Sequence, residues 1–201
     1  MNLHWSQCNF VVVDVEGNGQ TPQEIIELAV VHIRDACILN DRFEWLLQPE
    51  KSVTTQASRV HGIYDSDLIG KPKFQEVAFD IQKALGNFSV IGHNVTIDVQ
   101  LLKAKFPSWQ PIVAIDTLKL AKWVLPGLPS YALEAVTRKL DIKSEKQVMH
   151  RAYGDAFATA EIFLKLANIL EKHGTLDFRA LVEISASARD PYFKTAQKDL
   201  F

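Results

Sequence analysis

The chain has 201 residues, 47% of them hydrophobic, and carries 22 Lys and Arg against 24 Asp and Glu, a formal net charge of -2. That is enough apolar material for one full core with a C-terminal appendage, and too little positive charge for a surface that grips nucleic acid everywhere, since such affinity comes from Lys and Arg neutralising phosphates. Cys8 and Cys37 cannot build a disulfide framework, no apolar run approaches the ~20 residues of a membrane span, and MNLHWSQCNF lacks the basic and apolar regions of an export signal; a soluble protein of the reducing cytoplasm, without membrane contact, is expected.

In chain order, β-branched and apolar runs predict strands at 10–15, 25–33 and 38–47, separated by Gly17, Gly19, Pro22 and Asn40-Asp41 as turn signals. They form an antiparallel meander. A loop covers 51–72, then Phe74, Val77, Ala78, Ile81 and Leu85 recur at helical spacing. A short strand at 90–92, a helix at 97–106, a strand at 113–115 and helical stretches at 118–124 and 131–140 follow. The longest helical pattern covers 152–172, with Gly174 at its C-cap. The expected fold class is α/β, a mixed sheet with an antiparallel meander and then parallel strands, flanked by helices. The expected division is a domain over 1–174 and a helix and tail over 175–201, with Pro191 ending the helix and no fixed structure beyond it.

Four acidic residues carry the chemistry. Asp14 and Glu16 stand at the carboxyl end of an uncharged, β-branched run, where residues i and i+2 point to one side. Two carboxylates in a buried strand need a compensating partner, and a pair of divalent cations is one. Asp98 lies in VIGHNVTIDVQLLK and Asp155 in HRAYGDAFATAEIF, with His150 five residues ahead of it. Both aspartates fall near predicted helix starts, so capping is the alternative role for each. The five-residue spacing puts His150 off the helix face and in the loop before it.

These residues, with IIELAVV, SRVHGIYDSDLIGKPKF, GHNVTID and DTLKLAKWVLPGLPSYALEAV, resemble the DEDDh 3′-to-5′ exonucleases, the ribonuclease-H-like group that includes bacterial proofreading subunits and exonuclease X. The resemblance runs from about residue 10 to residue 172, in the family's order and spacing. It departs locally: Asp14 to Gly19 read D-V-E-G-N-G where the family favours D-T-E-T-T-G, and Ile97 stands where an aromatic is usual.

Oxygen ligands suit Mg²⁺ or Mn²⁺, whereas zinc favours Cys and more His. Two such ions, held by Asp14, Glu16, Asp98 and Asp155, imply an in-line displacement at phosphorus, one ion activating the attacking water and the other stabilising the leaving 3′ oxygen. His150, with an ordinary pKa of about 6.5, is the candidate general base; a functionless surface histidine is the alternative. The resemblance also implies that Gly17, the His61-Gly62-Ile63 segment, and His93 with Asn94 border the terminal nucleotide; a turn held by Gly62 and a hydrogen-bonded loop after a strand are the alternatives for the two segments. Asp116, in the D-T that ends a strand, is expected to support the site through hydrogen bonds and not to ligate metal directly.

The implied activity is hydrolysis of DNA from single-stranded or frayed 3′ ends, releasing nucleoside 5′-monophosphates in proofreading or repair, because a pocket around a 3′ terminus needs an unstacked base. An exoribonuclease of the oligoribonuclease or ribonuclease T kind uses the same chemistry, and a non-catalytic adaptor for nucleic acid or clamp is a second class. The last five residues, Gln197, Lys198, Asp199, Leu200 and Phe201, resemble the pentapeptide Q-x-[SD]-L-F that docks bacterial polymerases and repair proteins on the sliding clamp. Leu200 and Phe201 supply anchors for an apolar cleft, with Gln197 and Asp199 at its edge; a chance match is the alternative. Clamp docking favours DNA as substrate.

Overall fold

The computed structural model describes residues 3–142, 151–174 and 176–186. Its centre is a sheet in the order β3-β2-β1-β5-β6, with β4 also paired to β2. β1 (Phe10–Gly17) pairs antiparallel with β2 (Ile25–Arg34) and parallel with β5 (Ser89–Gly92), which pairs parallel with β6 (Ala114–Asp116). The expected mixed sheet is present. The third strand is broken in two: β3 (Cys37–Ile38) and β4 (Phe43–Leu46) pair with successive stretches of β2. The Asn40-Asp41 turn signal thus interrupts a strand rather than preceding one.

Because strand side chains alternate, both faces of β1 must be covered. Phe10 and Val12, with Ala29, Val31 and Ile33 of β2, face one core that α7 (Ala152–Glu171) and α8 (Phe178–Ala186) complete. Val11 and Val13, with Leu28 and Val30, face the other, closed by α3 (Phe74–Leu85) and α4 (Thr96–Lys105). The result is three layers. α5 (Thr117–Val124) and α6 (Leu133–Lys139) join the α7 side. On α7, Ala152, Ala156, Ala160 and Ala167 are fully buried, and these small side chains let the helix lie close on the sheet, while Phe163 meets the Phe10 ring edge-on at 5.1 Å and Trp5 at 5.9 Å.

The stretch 51–72, expected as loop, contains two short helices, α1 (Thr55–His61) and α2 (Asp65–Leu68). The Thr54 hydroxyl accepts the Ala57 N–H at 3.2 Å, and Gly62 ends α1 in the left-handed region at φ 72°. TQASRVH lacks an apolar period, so only its caps announced it. α7 ends at Glu171 with Lys172 as its C-cap, two residues before the expected cap at Gly174. α8 begins later than expected, and its buried Leu181 belongs to the same core as α7. Among the described residues no helix is long and apolar enough to cross a membrane, and Cys8 and Cys37 are unpaired.

Candidate active site

The row that buries Phe10 and Val12 continues along β1 to Asp14 and Glu16, so both carboxylates emerge on the α7 side of the sheet. Asp155, in the first turns of α7, meets them there. One carboxylate oxygen from each of Asp14, Glu16 and Asp155 lies within 4.8 Å of the others. Asp98 reaches the same strand end from the opposite layer: its Oδ1 accepts the Val15 N–H at 3.0 Å. Neither helical aspartate serves as an N-cap. The caps of α4 and α7 are Val95 and Arg151, without side-chain cap bonds, and the Asp155 N–H donates within the helix to the Arg151 carbonyl at 3.0 Å.

Crowding these acids has an electrostatic consequence. Burial, then the neighbouring charges of Asp98, Glu16, Asp155 and Glu27, pushes the Asp14 carboxyl well above its ordinary range. Glu16 is pushed up to about 8 by burial and by Asp155, Glu27 and Asp98, with Arg151 opposing. Asp98 rises to about 7, mainly through burial, although the Val15 N–H pulls the other way. Oxygen-rich, acceptor-only and mutually repelling, the cluster fits hard divalent cations, which remove the repulsion that otherwise holds protons on the acids.

Glu27 and Arg151 belong to this region and were not among the expected site residues. Glu27 stands directly across the β1/β2 ladder from Glu16, and its side chain is 0% exposed. Its Oε1 accepts from Arg151 Nε at 2.9 Å and from Nη2, while Oε2 accepts the Ala152 N–H at 2.9 Å. An acid in the middle of the apolar run IIELAVV is a buried charge in need of a cation, and that was its signal in the sequence.

The remaining expected residues are spread around the cluster. Gly17 directly follows Glu16, and a Cβ there would sit 1.7 Å from the Gln23 side-chain nitrogen. Any larger residue there would have to push the exposed Gln23 side chain aside. Asn18 organises the turn behind it: fully buried, it donates to Glu24 Oε1 and the Lys51 carbonyl, and its Oδ1 accepts from the Gln20 and Glu24 amides. His61, 4% exposed, accepts the Ile63 N–H on Nδ1 at 3.0 Å, while its buried Nε2 lies toward the Gly17 carbonyl without reaching hydrogen-bond geometry. Burial holds its imidazole below the ordinary histidine range, and the Gly17 carbonyl partly offsets this.

His93 uses both ring nitrogens inside the protein, Nδ1 with the Thr117 hydroxyl at 2.9 Å and Nε2 with the Tyr131 carbonyl at 2.8 Å. Asn94 is exposed, and its backbone N–H donates to Asp116 Oδ1 at 3.0 Å, the same oxygen that caps α5 through the Leu118 N–H. Asp116 therefore ties the loop after β5 to the start of α5. His150 and Gln197, Asp199, Leu200 and Phe201 lie outside the described residues.

The Exonuclease family pattern matches residues 11–163, which span β1 through most of α7 and include every acid of the cluster. The chain is 31% identical over 179 residues to the DNA polymerase III subunit epsilon of Aquifex aeolicus, covering 86% of this chain and 87% of that protein. It is 33% identical over 177 residues to the PolC-type DNA polymerase III of Thermotoga petrophila, covering 85% of this chain but only 13% of that much longer protein. Among solved structures, exonuclease X in complex with 5′ overhanging duplex DNA superposes with a TM-score of 0.68 at 26% identity, covering 88% of this chain and 99% of that one. A match that runs through both faces of the sheet and the whole acidic cluster fixes the lineage: the chain is an enzyme of the exonuclease family.

Proposed function

We propose that the chain is a divalent-metal-dependent 3′-to-5′ exonuclease that hydrolyses DNA phosphodiester bonds from single-stranded or frayed 3′ ends, releasing nucleoside 5′-monophosphates. The observation that carries this reading is the convergence of Asp14, Glu16 and Asp155 within 4.8 Å, with Asp98 bonded to the strand between the first two. Asp14, Glu16, Asp98 and Asp155 are the residues that would hold two Mg²⁺ or Mn²⁺ ions. When bound, such ions supply charge stabilisation at the phosphate and lower the pKa of the attacking water.

The protein's own groups do the rest. His150 takes the proton from the attacking water as general base, from the segment immediately before α7. Gly17, beside Glu16 beneath the Gln23 side chain, borders the nucleotide, and His61 offers a neutral ring whose Nε2 has no partner among the described residues. Asn94 faces solvent on the loop that Asp116 and His93 hold in place. The similarity to epsilon subunits and to exonuclease X supports DNA over RNA and a role in replication or repair. The tail, through Gln197, Asp199, Leu200 and Phe201, docks on a bacterial sliding clamp and brings the enzyme to DNA, in the cytoplasm.

The test is cleavage of matched 5′-labelled DNA and RNA oligomers by the purified protein, with Mg²⁺ and with chelator. A ladder that shortens from the 3′ end on DNA is expected; faster shortening of RNA would replace this substrate assignment with the exoribonuclease, and no cleavage of either would leave the adaptor.

A further inference from the structure

Glu27, fully buried, and Arg151, whose side chain is 44% exposed, form an ion pair at the edge of the acidic cluster, on neither the strand end nor the helix positions that supply the carboxylates. Both Glu27 oxygens are taken: Oε1 by the Arg151 guanidinium, Oε2 by the first amide of α7, with a weaker approach of Arg151 Nε at 3.2 Å. With no free oxygen facing the cluster, Glu27 is not a further metal ligand. It acts as a cap supplied from another element, satisfying an N–H that the α7 N-terminus, with Arg151 at its cap and no side-chain cap bond, leaves open.

The connections run in two directions. Toward β1, Glu27 is the cross-strand partner of Glu16. Toward α7, it fixes Arg151 and Ala152, and the Asp155 N–H donates to the Arg151 carbonyl one turn on. A second tie reinforces the same turn: Arg42, held by Glu44, lies 4.4 Å from the Tyr153 ring centroid. His150 is the next residue back along the chain from Arg151.

Stability alone gives little reason to bury Glu27 under a half-exposed Arg151. Replacing a buried ion pair by apolar residues of similar size is often neutral or stabilising, whereas removing one partner is strongly destabilising. What an apolar pair cannot do is bond the Ala152 amide and aim the forked guanidinium.

We propose that Glu27 and Arg151 are positioning residues, a brace that sets the first turn of α7 against β1 so that Asp155 meets Asp14 and Glu16 in catalytic register. This rests on the exonuclease function proposed above. The brace acts through those groups and touches no substrate.

The experiment compares wild type, Arg151→Met and the double variant Glu27→Leu/Arg151→Met. Three quantities are measured: melting temperature without metal, amide exchange over residues 152–155 without metal, and kcat and KM on a DNA oligomer with Mg²⁺. Arg151→Met leaves Glu27 buried and unpaired, so its melting temperature drops. The double variant is expected to regain the wild-type melting temperature to within about 5 °C. Its amides at 152–155 nevertheless exchange at least about 10-fold faster than in wild type, and its kcat stays at least about 10-fold down with KM within about 3-fold. A purely structural pair makes the opposite forecast: kcat and exchange protection return with stability, and that result overturns the proposal. Amide exchange needs neither metal nor substrate, so failure of the wild-type protein to cleave DNA would count against the exonuclease function while leaving the brace independently tested.

Discussion

Replacing Glu16 by Gln removes one charge from the cluster while keeping its shape, and the consequence for folding can be worked from the structure. A carboxyl pushed from its ordinary 4.5 up to about 8 binds its proton more tightly in the folded than in the unfolded protein. Its contribution is therefore most favourable below about pH 4.5, is lost as pH rises toward 8, and is level above that. Asp98, raised from 3.8 to about 7, acts with the same sign over a window shifted down. For Glu16 alone the full effect is at most about 5 kcal/mol. Because its side chain keeps some contact with water and the neighbouring acids respond to its charge, about 2 kcal/mol is the working expectation. Urea unfolding in chelator should thus show wild type losing stability from pH 5 to 8.5, and Glu16→Gln exceeding wild type by about 2 kcal/mol at pH 8.5 with a smaller margin at pH 5. Adding Mg²⁺ should restore wild type at pH 8.5 and help the variant less. Wild-type stability that is flat or rising over this range, or a variant no more stable than wild type at pH 8.5, refutes the electrostatic account of the cluster.

The other expectations are simpler. Asp14→Ala, Glu16→Ala, Asp98→Ala and Asp155→Ala should each lower turnover by roughly 10²-fold or more with metal-free melting unchanged or higher; near-wild-type turnover at saturating Mg²⁺ in any one removes that residue from the ligand set. His150→Ala should lower the rate by roughly 10²-fold with little change in KM, and the wild-type rate should climb through the histidine's titration; a rate that is flat or falling from pH 6 to 8.5 rules out the base. Phe163→Ala, which empties the space between Phe10 and Trp5, should cost about 3–5 kcal/mol in urea unfolding; less than about 1 kcal/mol would mean the core collapses around the gap. Deleting residues 197–201, or Leu200→Ala with Phe201→Ala, should abolish binding to the cognate sliding clamp and spare cleavage of a free oligomer; equal clamp affinity with and without the tail ends that assignment.

Much of the fold was legible because its signals are periodic. The β-branched run at Phe10–Gly17 and the long apolar repeat over Ala152–Glu171 each became the expected element, and the i, i+2 spacing of Asp14 and Glu16 put both on the α7 face. Elements that rest on caps instead of apolar period were missed, as in α1, where Thr54 and Gly62 bound a helix with no hydrophobic stripe. Strand pairing was less legible still: 38–47 holds apolar residues on both sides of Asn40-Asp41-Arg42, and only the register with β2 reveals two strands. At the site, the i, i+2 spacing paired Asp14 with Glu16 and the family resemblance added Asp98 and Asp155, but neither indicated which groups hold them. Glu27 was visible as a charge inside an apolar strand, yet its partner Arg151 lies 124 residues away, a distance no local pattern spans. For His93 the sequence left open a place beside the nucleotide or a hydrogen-bonded loop after a strand, and the structure shows both ring nitrogens bonded, to Thr117 and Tyr131.

The central claim is that the carboxylates at the end of β1 and the start of α7 serve metal-dependent removal of nucleotides from a 3′ end. The most direct measurement is release of label from a 3′-end-labelled single-stranded DNA oligomer, followed at pH 8 with Mg²⁺ and with chelator, with product identity read by chromatography. Mg²⁺-dependent release of the terminal nucleoside 5′-monophosphate, absent with chelator and in Asp14→Ala, is the predicted result; label released in chelator at the same rate, or appearing first in internal fragments, would contradict it.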